Sequence, residues 1–324
     1  MSSLPPFALL RPATLEAAAR LAAEPQARLV AGGTGLLPNL RRGLGAPRTL
    51  VSLEAIEELR GIEAFEGGLR IGACVSLQRL AASREIPAAL REAALSVGAP
   101  AHRAAATLGG NLCLDTRCLY YNQGEEWRRA NGYCLKLGGD TCHVAPQGRR
   151  CRAAYSADLA PALLALRAQV EIARAGGREV RPLQDLFQDD GADFLRLAPG
   201  EIVAAVRLPA PRGRSGYAKL RARGAIDFPL AGVAMALELR ADRVAELRIA
   251  LTGTNSRPLL LAGTDALEGG EAGEALGAAL AKLVQKQAAP MRTTVSAADY
   301  RRQGAAVLAR RLLERLCKEE GGSP

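Results

Sequence analysis

The sequence predicts an α+β protein of two domains, a larger one over residues 1–212 and a smaller one over 213–324, and three observations carry this. Short strands and amphipathic helices alternate at close spacing up to residue 112. The segment Pro209 to Gly216, rich in Pro, Gly and Arg, reads as a linker. Beyond it strands come first and two helices last, the order of a small α+β domain. A chain of 324 residues, 48% of them hydrophobic, has length and apolar content for this.

Thr14 to Glu24 reads as a short helix with the Thr14 hydroxyl as its N-cap. Arg28 to Ala31 is a short apolar strand that runs into Gly32–Gly33–Thr34–Gly35. Thr49 to Leu53 is a second strand and Leu69 to Ala73 a third, after which Ser76 caps a helix. Ile86 to Val97 is a helix stopped by Gly98 and Pro100. This stretch alternates as an α/β arrangement does. Further on, Ala157 to Ala165 is helix-like, and Gln169–Ala173 with Arg178–Arg181 forms a hairpin across Gly176–Gly177. Glu201 to Leu208 is a strand ended by Pro209 and Pro211. After the linker come strands at Tyr217–Leu220, Ala231–Leu239 and Val244–Gly253, then helices near Glu271–Gln287 and Ala297–Cys317.

Residues 113 to 151 interrupt this pattern. They hold five of the seven cysteines, the single Trp, three of the six Tyr and one of the two His, with no sustained period. A long aperiodic stretch inside a domain is functional or disordered, and this composition argues against disorder.

Charge and composition remove several classes. The net charge of +10 comes from basic residues spread along the chain among acidic ones. An acidic protein partner or a phosphate-bearing ligand uses such potential better than a nucleic acid does. Aromatics make up only 4%, too few for base-stacking platforms. No apolar run approaches the roughly 20 residues of a membrane span, and Met1 to Phe7 lacks the features of a signal peptide. The expected compartment is the reducing cytoplasm, where structural disulfides are rare.

Cys113, Cys118, Cys134, Cys142 and Cys151 therefore read as metal ligands. Four thiolates hold an iron–sulfur cluster, and an irregular loop can bring four together. No Cys-x-x-Cys pair is present, which a structural zinc site usually has, yet zinc stays open. Spacing does not choose four of the five. Cys74 and Cys317 lie apart and read as buried apolar residues. His143 is an alternative ligand, and His102 reads as a packing residue. No acid–base constellation stands out; Glu125–Glu126 and Asp189–Asp190 read as solvated loop charges.

Two glycine-rich segments remain. In Ala31–Gly32–Gly33–Thr34–Gly35–Leu36 a strand runs into a turn whose amides can approach a pyrophosphate. It is neither a Walker loop nor a complete Rossmann fingerprint. In Thr107–Leu108–Gly109–Gly110–Asn111, Thr107 and Asn111 can hydrogen-bond a ligand beside paired glycines. Each alone could be a structural turn.

Together they carry a resemblance. With Ile71–Gly72–Ala73, Ser156–Ala157–Asp158–Leu159, Glu201 to Pro209, Tyr217–Ala218–Lys219 and Ala225–Ile226–Asp227, in order along nearly the whole chain, the sequence resembles the FAD-binding medium subunits of the xanthine oxidase (molybdenum hydroxylase) family. The resemblance implies a two-subdomain FAD-binding fold of the vanillyl-alcohol-oxidase type, followed by a C-terminal domain of the CO dehydrogenase flavoprotein type. It implies FAD contacts from Ala31, Gly32, Gly33, Thr34, Gly35 and Leu36, from Thr107, Gly109, Gly110 and Asn111, and from Asp158, Ile202 and Lys219. Lys219 would lie near the isoalloxazine, where a cation favours reduced flavin.

The departure from the family lies between Asn111 and Asp158, which are 47 positions apart where most members need only a few. The insertion, about 113–153, is the cysteine-rich loop. In this the chain resembles the 4-hydroxybenzoyl-CoA reductase branch, whose beta subunit carries a 4Fe-4S cluster on such a loop. That resemblance places the ligands on Cys118, Cys134, Cys142 and Cys151 and leaves Cys113 in the flavin-binding segment. It implies a large partner with a molybdenum cofactor, a small partner with two 2Fe-2S clusters, reduced ferredoxin as donor, and a dimer of heterotrimers. The rival readings are a hydroxylase flavin subunit passing electrons to NAD or a quinone, with zinc in the loop, and a non-catalytic zinc-bearing binding module.

Overall fold

The computed structural model describes residues 4–292 and 296–319, and in it three sheets organise the chain. Of the segment considered for a signal peptide, residues 1–3 lie outside the described residues. The first sheet is parallel, built from β1 (Ala8–Leu10), β2 (Ala27–Val30) and β3 (Thr49–Ser52) in the order β1-β3-β2. Helices Leu15–Ala22 and Leu36–Arg41 make its crossovers, as parallel strands require. The Thr14 cap forms, its hydroxyl accepting from the Ala17 amide at 3.2 Å.

The second sheet is antiparallel: β4 (Ile62–Phe65), β5 (Gly68–Gly72), β6 (Gln169–Arg174), β7 (Gly177–Pro182) and β8 (Ile202–Leu208), ordered β4-β5-β8-β6-β7. The α/β alternation read along residues 14–112 therefore ends at β3. The chain instead turns back through Glu66 and Gly67, both at positive φ, into a tight hairpin. β5 then pairs with β8, placing Leu69 opposite Leu208. Sequence reading missed β1 and β4 because β1 is three residues long and β4 buries no residue fully.

The third sheet holds β9 (Arg214–Leu220), β10 (Ala231–Arg240), β11 (Arg243–Thr252) and β12 (Leu259–Leu260), antiparallel in the order β12-β11-β10-β9. Helices Glu274–Gln287 and Ala298–Lys318 bury Leu280, Val284, Ala309, Leu312 and Leu316 against Val233, Met235, Leu237 and Ile249 of this sheet. β9 starts at Arg214, inside the segment read as linker.

Helix Leu159–Ala165 joins the two halves. All its residues are buried, as a helix apolar on every side must be. It shares a core with Val170 and Val206 of the second sheet and Ala234 and Ala250 of the third. Between helix Leu108–Leu112 and this helix the chain leaves the fold and returns. The exit is a two-residue bridge: the Arg117 and Ala154 amides donate to each other's carbonyls, each at 2.8 Å. Everything from Cys118 to Ala153 hangs from that neck.

Candidate functional site

The cysteine-rich segment folds back on itself so that its thiols converge. Cys118, Cys134, Cys142 and Cys151 line one narrow cavity with Tyr120, Tyr121, Leu135, Lys136 and His143. Each cysteine is fixed by its local turn. The Cys118 amide donates to Asn122 Oδ1 at 2.9 Å. The Cys134 carbonyl accepts from Leu137 and Gly139, in a turn that needs Gly138 at φ +84. The Cys142 carbonyl accepts from Ala145 at 2.8 Å. Cys151 is held at its carbonyl by the Gly191 amide and the Ser256 hydroxyl. No repeating element could aim four sulfurs inward; separate turns do.

Cys113 stands outside this group. It lies N-terminal to the neck, caps helix Leu108–Leu112 and packs against the main core. Burial pushes its thiol up to about 12. Burial also raises Cys118, against the Tyr120 and Tyr121 amides, and raises Cys151 to about 11, against the Ala153 amide and the Lys136 charge. Metal binding would draw these protons off, because only thiolates ligate. Among the described residues no group of three or more His, Cys, Asp or Glu already forms a site for a single metal ion. The donor chemistry nonetheless fits a thiolate-held metal group: four cysteines, three of them buried, face one space.

The cavity wall holds residues that sequence reading passed over. Lys136 is 7% exposed, and its Nζ donates to Asp115 Oδ1 and Thr116 Oγ1, both at 2.5 Å, while lying 4.2 Å from the Tyr121 ring centroid. Asp115 also accepts from the Tyr121 hydroxyl at 2.6 Å and from Asn39 Nδ2 at 3.3 Å. Asn39 belongs to the helix that follows the glycine turn. Arg128, 2% exposed, donates to the carbonyls of Arg42 and Gly43 just after that helix, and to Glu125 Oε2 at 2.5 Å. So Glu125 is a partner of a buried arginine rather than a free loop charge, and Asp189 pairs with Arg150 at 2.6 Å. Nothing in the sequence signals the contacts of Asp115 with Asn39 or of Arg128 with Arg42 and Gly43, which join segments about 80 residues apart. His143 lines the cavity, its ring 4.8 Å from that of Tyr120 and its Nε2 2.5 Å from the Tyr133 carbonyl.

The first glycine segment forms an open turn between β2 and helix Leu36–Arg41. Gly32 and Thr34 are exposed, and Ala31, Gly33, Gly35 and Leu36 half-buried. The amides from Gly32 to Leu36 make no hydrogen bond to another backbone group among the described residues. A run of unpartnered amides is a cradle for anionic oxygens. Gly33 sits at φ +68, and a Cβ on Gly32 would lie 1.8 Å from the Ala105 carbonyl oxygen.

The second segment packs beside it but spends its amides internally. The Gly109 amide donates to Ala73 O at 2.8 Å and the Gly110 amide to Thr107 Oγ1 at 3.1 Å. Asn111 is buried, its Oδ1 accepting from the Leu159 amide at 3.1 Å. Gly110 alone in this group is exposed. Asp158 and Lys219 meet each other: Lys219 Nζ lies 3.0 Å from Asp158 Oδ1 and donates to the Ser96 carbonyl at 3.0 Å. The Tyr217 hydroxyl donates to the same carboxylate at 2.6 Å. Ile202 is buried beneath the first sheet, with Leu15, Val51 and Ala204. The structure thus leaves Ala31 to Leu36 and Gly110 exposed or half-buried, while Asp158 and Ile202 are buried and the Lys219 side chain is turned inward onto Asp158.

Comparison with known proteins identifies the family from sequence and from fold. Residues 5–211 match the family described as FAD binding domain in molybdopterin dehydrogenase, and residues 216–316 match the CO dehydrogenase flavoprotein C-terminal domain. The chain is 32% identical to the aldehyde oxidoreductase FAD-binding subunit PaoB of Escherichia coli, over 78% of this chain and 82% of that one. It is 28% identical to the carbon monoxide dehydrogenase medium chain of Afipia carboxidovorans, over 89% and 88%. Among solved structures, a chain of the reconstituted CO dehydrogenase from Oligotropha carboxidovorans superposes with a TM-score of 0.80 at 25% identity, covering 98% of this chain and all of that one. Among the described residues no helix is long and apolar enough to cross a membrane.

Proposed function

This chain belongs to the FAD-binding medium subunits of the molybdenum hydroxylase family, and from that premise we propose that it is the flavin and 4Fe-4S electron-transfer subunit of an enzyme that reductively dehydroxylates 4-hydroxybenzoyl-CoA. The observation that carries the reading is the convergence of Cys118, Cys134, Cys142 and Cys151 on one cavity, in an excursion that leaves and rejoins the rest of the chain at the Arg117–Ala154 bridge. The two groups, when bound, supply one-electron and two-electron carriage between a low-potential donor and the partner subunits.

This chain's own residues do the rest. The four thiols would hold the cluster, and Tyr121, Leu135 and Lys136 would wall it. Lys136 places a fixed positive charge beside a group that gains negative charge on reduction. The amides from Gly32 to Leu36 cradle the FAD pyrophosphate, and Asp115 and Arg128 hold the thiol-bearing excursion against the helix that follows that cradle. The proposed partners are a large subunit with the molybdenum cofactor, where the substrate is reduced, and a small subunit with 2Fe-2S clusters, assembled as a dimer of heterotrimers. Reduced ferredoxin is the proposed donor and the cytoplasm the proposed compartment.

Metal analysis with an absorption spectrum of the anaerobically purified chain tests this. About four irons and one FAD per chain are expected from the cluster's stoichiometry; one zinc and no iron overturns the reading. Cys134→Ala should lose the iron and keep FAD. The assembled enzyme should form benzoyl-CoA and water from 4-hydroxybenzoyl-CoA and reduced ferredoxin. Substrate oxidation coupled to NAD or a quinone, without that activity, would move the chain to the hydroxylase branch.

A further inference from the structure

We propose that the arginine-rimmed pocket formed by Arg149, Arg150 and Arg152, beside the thiol cavity, is the docking surface for an acidic electron-donor protein; this rests on the reading of the thiol cavity as a cluster site. The pocket has a volume of ≈ 430 Å³ and is completed by Ala145, Gly148 and Met291. It adjoins the cavity through the chain itself, because Cys151 stands between Arg150 and Arg152.

The three arginines differ in their freedom. Arg150 is tied by Asp189, whose carboxylate lies 2.6 Å away and whose carbonyl also accepts from it. Arg149 is exposed and Arg152 half-buried, and neither has an ion-pair partner among the described residues. Of the acids nearby, the Asp189 carboxylate is spent on Arg150 and the Ser256 amide, and Asp190 Oδ1 accepts from the Ala192 amide. With three arginines against Asp189 and Asp190, this face keeps a net positive charge.

The shape favours a protein over a small anion. A phosphate site converges several donors on one point, often with backbone amides behind them. Here the one arginine fixed in place is already paired, and the rest of the lining, Ala145, Gly148 and Met291, adds no side-chain donor. Arginines set beside apolar surface are common in protein–protein interfaces. Opposite charge on the partner steers encounter and raises the association rate by tenfold to a thousandfold at low salt. Electron exchange falls steeply with distance, and a donor seated against residues 149–152 is next to Cys151, which lines the thiol cavity. Each encounter oxidises the donor by one electron and reduces the subunit by one, with no atom transferred.

The test uses the assembled enzyme and stopped-flow reduction by an acidic bacterial ferredoxin, over a range of ionic strength. Arg149→Glu, and Arg149→Glu with Arg152→Glu, should lower the second-order rate about tenfold or more at low salt. They should also flatten its dependence on ionic strength. Reduction by the methyl viologen radical cation should not slow. Iron per chain is measured on the same preparations. Iron at wild-type level with unchanged ferredoxin kinetics overturns the docking surface and leaves the cluster reading standing. Absence of iron from the wild type overturns the cluster reading itself. Loss of the partner subunits on purifying the exposed Arg149→Glu variant would make this face a subunit interface, and competition by millimolar inorganic phosphate with unchanged salt dependence would make it a small-anion site; either overturns the proposal.

Discussion

Gly33 carries more of the flavin site than its size suggests. It turns the chain at φ +68 out of β2, and in that turn the amides from Gly32 to Leu36 make no backbone hydrogen bond among the described residues. An L residue at such a φ costs roughly 1–2 kcal/mol, and a β-branched one more. Gly33→Val should therefore lower the FAD content of the purified chain while the iron content stays, read as the flavin-to-iron ratio from absorbance and metal analysis. Equal loss of both would mean that the turn supports the whole fold. Asp115 works at the same scale with a different role. It binds Tyr121 and Lys136 of the cavity wall and Asn39 of the helix after the glycine turn, so one carboxylate ties the two sites together.

Among the elements, β6 holds the most demanding charge. Glu171 lies 2% exposed on the strand next to the edge of the second sheet, with Arg70 of β5, Arg178 of β7 and Arg207 of β8 around its carboxylate at 3.0–3.3 Å. Burial pushes this carboxyl up, but the Arg70 hydrogen bond and charge, with hydrogen bonds from Arg178 and Arg207, outweigh it and hold it at about 2 against an ordinary 4.5. A depressed folded value gives stability that is complete above the unfolded value and is lost as pH falls toward 2. Glu171→Gln, which takes the carboxylate from Arg70 and Arg207 and leaves Arg178 only Glu58, should cost up to about 3 kcal/mol at neutral pH. The gap in Tm between wild type and variant should narrow as pH falls below 4.5. A gap constant across that range would show that Glu171 acts by shape alone. The sequence showed β6 and its hairpin partner clearly, through alternation and the Gly176–Gly177 turn. It could not show this charge cluster, because its arginines come from three strands that only pairing brings together.

On the scale of the whole molecule, the excursion is modular in its covalent attachment and less so in its contacts. The Arg117–Ala154 bridge has the geometry of a hairpin end, so residues 118–153 can in principle be replaced by an Asn-Gly turn. That deletion should leave a folded chain that binds FAD and holds no iron, checked by flavin fluorescence, metal analysis and thermal unfolding. Failure to bind FAD would mean that the contacts of Arg128 to Arg42 and Gly43 are required by the flavin fold. The two domains are joined more intimately. Asp158, at the start of the all-buried helix, takes Tyr217 and Lys219 from β9, so residues expected at the flavin also lock the domains to each other.

The sequence by itself determined the order of most elements, the glycine turn and the helix caps, and it showed that five cysteines crowd one aperiodic segment, because these depend on local backbone preference and on spacing along the chain. Only the tertiary structure decided the antiparallel pairing of β5 with β8, the single cavity shared by four thiols, and the partners of Asp115, Arg128, Asp158 and Glu171. Each of those brings together residues far apart in sequence, and the physical terms that select them, burial of apolar surface and compensation of buried charge, are set by the packed whole rather than by neighbours in the chain.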